Sequence, residues 1–183
     1  MNNLFTGQLV KLAARNPETD PQVMAPWHRD SEFFQLAYGR IAEPWGVARL
    51  KERMERHSSD TDEIGFAIHS LADDKLIGEI GLWLLPPHGE GMVYIMVGER
   101  ALWGKGYGTD AMRVLLRYAF TELNLHRVSL RTFGFNQRAI RSYEKCGFVL
   151  EGNSRRALNK LGTRWDEVWM GILRSEWQMA NGE

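Results

Sequence analysis

The 183 residues are 44% hydrophobic and 25% charged, the proportions of one soluble globular domain spanning residues 1–183 and not of a disordered or fibrous chain. Lysine plus arginine equals aspartate plus glutamate at 23 each, so no net field draws in nucleic acid or an anionic membrane, and neither partner is expected. No window approaches the roughly 18 apolar residues of a membrane span, and the N-terminus has no basic flank followed by an apolar run, which makes the cytoplasm the expected compartment.

LVKLAAR (9–15) reads as a first strand, and Asn16-Pro17-Glu18-Thr19-Asp20-Pro21 supplies turn and helix-start residues. Two helical segments are expected next: one within 18–37, and one begun near Pro44 with Val47, Leu50 and Met54 on a single stripe. From Ile64 the period becomes that of strands: IGFAIHSL, KLIGEIGLWLL and MVYIMV, separated by Asp73-Asp74 and by PPHGEG, form an antiparallel meander. Over 107–123 the spacing of Ala111, Val114, Leu115, Tyr118, Ala119 and Leu123 predicts a helix with one core-facing stripe. HRVSLRTF (126–133) is a strand, Asn136 caps a helix that Gly147 ends, and FVLEGNSRRAL and TRWDEVWMGIL close the chain as two strands joined by a turn over 159–162. Strands and helices in this order predict one α+β domain.

Residues 103–109 read Trp-Gly-Lys-Gly-Tyr-Gly-Thr, three glycines at alternate positions between a strand-like and a helix-like run. A dinucleotide fingerprint requires a βαβ unit and an acid at the end of the next strand, but that strand ends Arg131-Thr132-Phe133 and the preceding sheet is a meander. A Walker-type loop requires Ser or Thr after its lysine, and Lys105 is followed by Gly106. Two readings stay open. In one, backbone N–H groups bared by small residues converge on a pyrophosphate at a helix N-terminus; in the other, the glycines merely form a supple helix entry. Metal chemistry has no support: Cys146 is alone, and His28, His57, His69, His88 and His126 show no ligand spacing, so no metal is expected.

Taken with FNQRAIRSYEKCGF (135–148), the stretch VGERALWGKGYGTDAMRVLLRYAF resembles the GNAT superfamily of acetyl-CoA-dependent N-acetyltransferases. The match covers roughly residues 64–173 in element order. The resemblance implies a mixed, mainly antiparallel seven-stranded sheet flanked by about four helices and splayed between strands four and five. It implies acetyl-CoA as co-substrate, with the loop Trp103, Gly104, Lys105, Gly106, Tyr107, Gly108 and Thr109 holding its pyrophosphate. Gly106 and Gly108 take the two small positions of the family signature, and Trp103 stands where Gln or Arg is usual. Met96, Val97 and Gly98 lie alongside the pantetheine arm, Asn136 touches that arm while capping its helix, and Arg138 and Arg141 are either solvated or in contact with the ribose phosphate. Within the superfamily the wording is most similar to the ribosomal-protein N-terminal acetyltransferase branch, whose members act on protein N-termini, polyamines and amino sugars.

Acetyl transfer from a thioester to an amine requires a neutral amine, a donor to the carbonyl oxygen and a proton for the departing thiolate. By the resemblance, an N–H at Val97 or Gly98 polarises the carbonyl and Tyr143 is the acid. Period two along KLIGEIGLWLL places Glu79 and Trp83 on one face, so the pair are expected in the acceptor pocket, Glu79 as base and Trp83 as an aromatic wall, with Glu90 the rival base. Freeing a lysine-like amine at pH 7 costs roughly 4.6 kcal/mol and an α-amine only about 1.4 kcal/mol, which favours a peptide or small-molecule primary amine as acceptor. The reading admits a homodimer, and its functional alternative is a non-catalytic acyl-CoA sensor or scaffold.

Overall fold

The computed structural model describes residues 3–58 and 60–182. Seven strands, β1 (Val10–Ala14), β2 (Glu63–Ser70), β3 (Leu76–Leu85), β4 (Glu90–Val97), β5 (Arg127–Phe133), β6 (Val149–Lys160) and β7 (Thr163–Leu173), form one sheet in the order β1-β2-β3-β4-β5-β7-β6. All neighbours are antiparallel except β4 and β5. That pair runs parallel through Glu90–Arg127, Gly91–Val128 and Met92–Ser129 only, after which the strands part.

Six helices cover the two faces of the sheet among the described residues, where about four were expected. On the front lie α1 (Asp20–Met24), α2 (Ser31–Ala37) and α3 (Val47–Ser58); on the rear lie α4 (Tyr107–Thr121), α5 (Gln137–Glu144) and α6 (Arg174–Asn181). The stretch expected to hold one helix within 18–37 divides because Pro26 leads into a 3-10 turn, Trp27–Arg29. Asp30 then restarts the chain, its carboxylate accepting from the Glu32 and Phe33 N–H groups as a side-chain cap. The unexpected α6 is short, and tertiary packing of Trp177 on Phe120, with ring centroids 5.5 Å apart, holds it down.

Pleating sorts the strand residues between two cores. The rear core joins Ile68, Ile80, Leu82, Val93, Val128, Leu130, Met170 and Ile172 to the expected stripe of α4, with Ala111, Val114, Leu115 and Ala119 buried and Tyr118 and Leu123 packed at its margin. The front core is built from Met24, Trp27, Phe33, Phe34, Trp45, Leu50 and Met54 against Met96 of β4. Val47, expected on the α3 stripe, is 39% exposed because it sits in the first turn, beyond the edge of that core.

Candidate functional site

A cleft of about 880 Å³ opens where β4 and β5 part, walled at the rear by the start of α4 and by α5 and at the front by α2 and the residues after it. Its rear rim is shaped by two glycines whose φ angles, +74° at Gly104 and +92° at Gly106, lie in the left-handed region that side chains disfavour. Gly106 is the N-cap of α4 and offers no side-chain cap. The N–H groups of Tyr107, Gly108 and Thr109, the first three of the helix, therefore have no intrahelical acceptor. Asp110, the one acid in that first turn, faces away: its carboxylate accepts from the N–H groups of Gln8, Leu9 and Val10 at 3.2, 2.7 and 3.1 Å and pins β1 to α4. Bare donors, a positive helix end and a diverted acid fit a pyrophosphate. The Thr109 hydroxyl bonds the Ser142 hydroxyl at 2.7 Å, joining the α4 entry to α5.

Along β4 the hydrogen-bonding direction alternates. Gly98 N–H donates to the Ile77 carbonyl at 2.8 Å, so it is spent on β3, and Gly98 is buried and does not line the cleft. The next groups back, those of Val97 and Ile95, point to the open side. Of the two carbonyl-polarising N–H groups expected, only that of Val97 faces the cleft. The Val97 carbonyl accepts from Trp103 Nε1 at 2.7 Å, which accounts for a tryptophan at 103: the indole fastens the end of β4 to the glycine loop. Its ring carries Arg138 at 4.3 Å and Arg100 at 5.3 Å. Lys105 is exposed and Tyr107 packs on the rear core, so neither side chain lines the cleft, whereas Trp103, Gly104, Gly106, Gly108 and Thr109 all do.

Asn136 caps α5 as expected, its side chain accepting from Ala139 N–H at 3.2 Å, and it lines the cleft beside Arg138, Arg141 and Tyr143. Burial, and to a smaller degree the neighbouring Cys146, push the Tyr143 phenol up to about 12, so the hydroxyl keeps its proton at neutral pH. Cys146 is itself pushed up to about 11 by burial and rests against the Thr109 carbonyl at 3.5 Å, an inert packing thiol.

On the front, Glu79 and Trp83 share a face of β3 but not a pocket. Trp83 lines the cleft, 39% exposed and 4.6 Å from the Tyr94 ring. Glu79 is 1% exposed, absent from the lining, and its Oε1 is ion-paired with Arg53 of α3. Four residues of strand separate them, enough to put Glu79 beneath the front helices while Trp83 stays beyond them, so the expected carboxylate and indole do not meet. Glu90, the rival, accepts from the Ser129 hydroxyl at 2.5 Å and Arg127 Nε at 3.2 Å at the closed end of the β4–β5 pair. Sequence reasoning missed the rest of the front wall: Phe33, Tyr38 and Arg40 from α2 and its exit, Arg131 and Phe133 from β5, and Glu167 from β7. Those segments lie far apart in the chain, and no motif joins them.

The residues 11–149 match the model of the acetyltransferase (GNAT) domain. The chain is 33% identical to the probable N-acetyltransferase YjcK of Bacillus subtilis strain 168 over 129 residues, 70% of this chain and 71% of that one. It is 31% identical over 112 residues, 61% of this chain and 54% of the other, to the candidate ribosomal N-acetyltransferase YdaF of the same organism. The crystal structure of spermidine N-acetyltransferase from Vibrio cholerae in complex with CoA and spermine superimposes with a TM-score of 0.81 at 26% identity, covering 92% of this chain and 98% of that one. Parted strands beside a glycine-built helix start, together with these matches, lead to one conclusion: the chain belongs to the GNAT family of acetyl-CoA-dependent N-acetyltransferases.

Proposed function

We propose that acetyl-CoA lies across the rear rim of the cleft, that Tyr143 returns a proton to its sulfur, and that a primary α-amine on a peptide or small molecule enters from the front. The observation that carries this reading is the free N-terminus of α4, opened by Gly104 and Gly106 and set beside the unpaired edge of β4. The N–H groups of Tyr107, Gly108 and Thr109 hold the pyrophosphate, with Lys105 close enough in sequence to add charge. The open edge of β4 at Ile95 and Val97 and the side chain of Asn136 hold the pantetheine arm, with Met96 lining the cleft beside it although its backbone is paired to β3, and Arg138 and Arg141 face the ribose phosphate. When bound, the co-substrate supplies an activated acetyl thioester. Val97 N–H donates to its carbonyl oxygen as negative charge develops there, and the protonated Tyr143 hydroxyl donates to the departing sulfur.

Glu79 is a positioning residue in this reading, holding Arg53 under the front helices. An α-amine needs no dedicated base, because its free form costs only about 1.4 kcal/mol at pH 7; bulk water takes the proton. This acceptor preference, together with the likeness to YdaF, supports a place near the ribosomal N-terminal acetyltransferase branch. The cytoplasm, where a lone thiol such as Cys146 stays reduced, is the compartment that fits. Calorimetry with acetyl-CoA, followed by thiol release in the presence of an N-terminal peptide, an amino sugar and spermidine, tests the proposal. Saturable binding with amine-dependent release is expected; absence of acetyl-CoA binding would end it.

A further inference from the structure

The front half of the cleft has a charge pattern that selects among amines. Five basic residues line the cleft against one carboxylate. Arg138, Arg141 and Lys145 belong to the α5 side at the rear, where the phosphates of the coenzyme lie, so Arg40, Arg131 and Glu167 remain for the acceptor. Arg131 and Glu167 project from the front of β5 and β7, the face opposite the one that carries Leu130 and Val168 into the rear core.

These three charges are unequally committed. Arg131 Nη1 stands 3.5 Å from Glu167 Oε1, and its side chain is 58% exposed while that of Glu167 is 15% exposed. Arg40 is 57% exposed and 3.7 Å from Glu43, whose carboxylate is held more closely by Arg49 at 2.7 Å. Two guanidiniums therefore keep donors for a further anion at the mouth, and a single half-sheltered carboxylate is left to attract an ammonium group. Between them stand Phe33, Tyr38, Trp83 and Phe133, an apolar wall without charge.

We infer that the acceptor is an amine bearing a carboxylate within a few bonds or residues of the nitrogen, the amine drawn to Glu167 and the carboxylate to Arg131 and Arg40. This rests on the reading that the front of the cleft receives the acceptor. A polyamine fits poorly: it offers several ammonium groups to one carboxylate and two guanidiniums, and like charges brought together cost affinity. Two sources share the favoured chemistry, a free acidic amino acid and the N-terminus of an acidic peptide, and the probes separate them.

The full chain, loaded with acetyl-CoA, is assayed by thiol release with four acceptors: a short peptide of alanine followed by two aspartates, its counterpart with two lysines, free aspartate, and spermidine. Binding of the N-acetylated peptides in the presence of CoA, measured by calorimetry, gives a readout independent of turnover. Expected is a kcat/KM at least about tenfold higher for the acidic than for the lysine peptide at about 0.01 M salt, shrinking toward equality near 1 M as the screening length falls from ~30 to ~3 Å. Arg131→Glu is expected to reverse the preference, and Arg40→Gln to reduce it; both side chains are exposed, so the fold stays intact. Free aspartate turning over as well as the acidic peptide marks the amino-acid source; a peptide advantage marks the N-terminal source. Faster turnover of spermidine or the lysine peptide, or a preference that Arg131→Glu leaves unchanged in both readouts, overturns the inference while acetyl transfer stands. Loss of acetyl-CoA binding as well would remove the site reading beneath it.

Discussion

Gly108→Val separates the coenzyme seat from the fold more cleanly than any other change in the loop. Gly108 sits in the first turn of α4, its φ is not positive, and a Cβ there meets Val97 Cγ2 at 3.8 Å and Ile95 Cδ1 at 3.9 Å, ordinary contact distances. The backbone is therefore unstrained, and valine improves on glycine in a helix by a few tenths of a kcal/mol. The two added methyl groups, however, extend beyond that Cβ toward the gap between α4 and the open edge of β4, where the pyrophosphate is proposed to lie against three N–H groups. Losing one charge-assisted hydrogen bond costs about 1.5–3 kcal/mol, a weakening of about 10- to 150-fold in acetyl-CoA affinity. Calorimetry should show that weakening with an unchanged or slightly raised Tm. Gly104→Ala is the contrast: nothing lies within 4 Å of its Cβ, but φ is +74°, so strain of about 1–2 kcal/mol should lower Tm by roughly 2–8 °C. Wild-type affinity in Gly108→Val, with wild-type binding established, would refute the placement of the pyrophosphate at this helix start.

Tyr143→Phe is expected to lower turnover by about 10²–10⁴-fold with acetyl-CoA affinity little changed, checked by single-turnover kinetics beside calorimetry; more than half of wild-type turnover would leave Tyr143 as packing. Glu79→Gln leaves Arg53 buried without its counter-charge, so a loss of about 3–5 kcal/mol and a Tm drop of roughly 6–20 °C are expected, with a pH–rate profile superimposable on wild type; loss of the acidic limb would restore Glu79 as base. Stability itself should fall as pH rises above about 9. The buried Cys146 thiol and Tyr143 phenol, pushed up from 9.0 to about 11 and from 10.0 to about 12, hold their protons folded but release them unfolded. The unfolded state then binds fewer protons, and each group costs roughly 2–3 kcal/mol of stability across its interval; denaturant midpoints from pH 8 to 11 measure it, and a flat profile would contradict the burial of both.

Much of this molecule was legible in one dimension because its signals are local. A helix needs its stripe every three or four residues, and Ala111 to Leu123 kept that spacing; a strand needs alternation, and the meander from Ile64 kept it; a left-handed backbone favours glycine, and Gly104 and Gly106 stand where the chain turns into α4. The cap at Asn136 depends on a residue three positions on and was equally readable. Where contacts cross the chain, the spacing carried no information. Period two placed Glu79 and Trp83 on one face correctly, yet which of them is roofed over was decided by α3, whose Arg53 arrives from 26 residues away. Gly98 looked as available as Val97 until pairing with Ile77 used its N–H. The α6 helix has too few turns to stand without Phe120 beneath Trp177. The front wall joins Arg40, Trp83, Arg131 and Glu167 from four segments. The glycine rim of the cleft is written in consecutive residues because backbone geometry within one turn builds it; the front wall is written nowhere in the chain because only the packing of separate segments brings its side chains together.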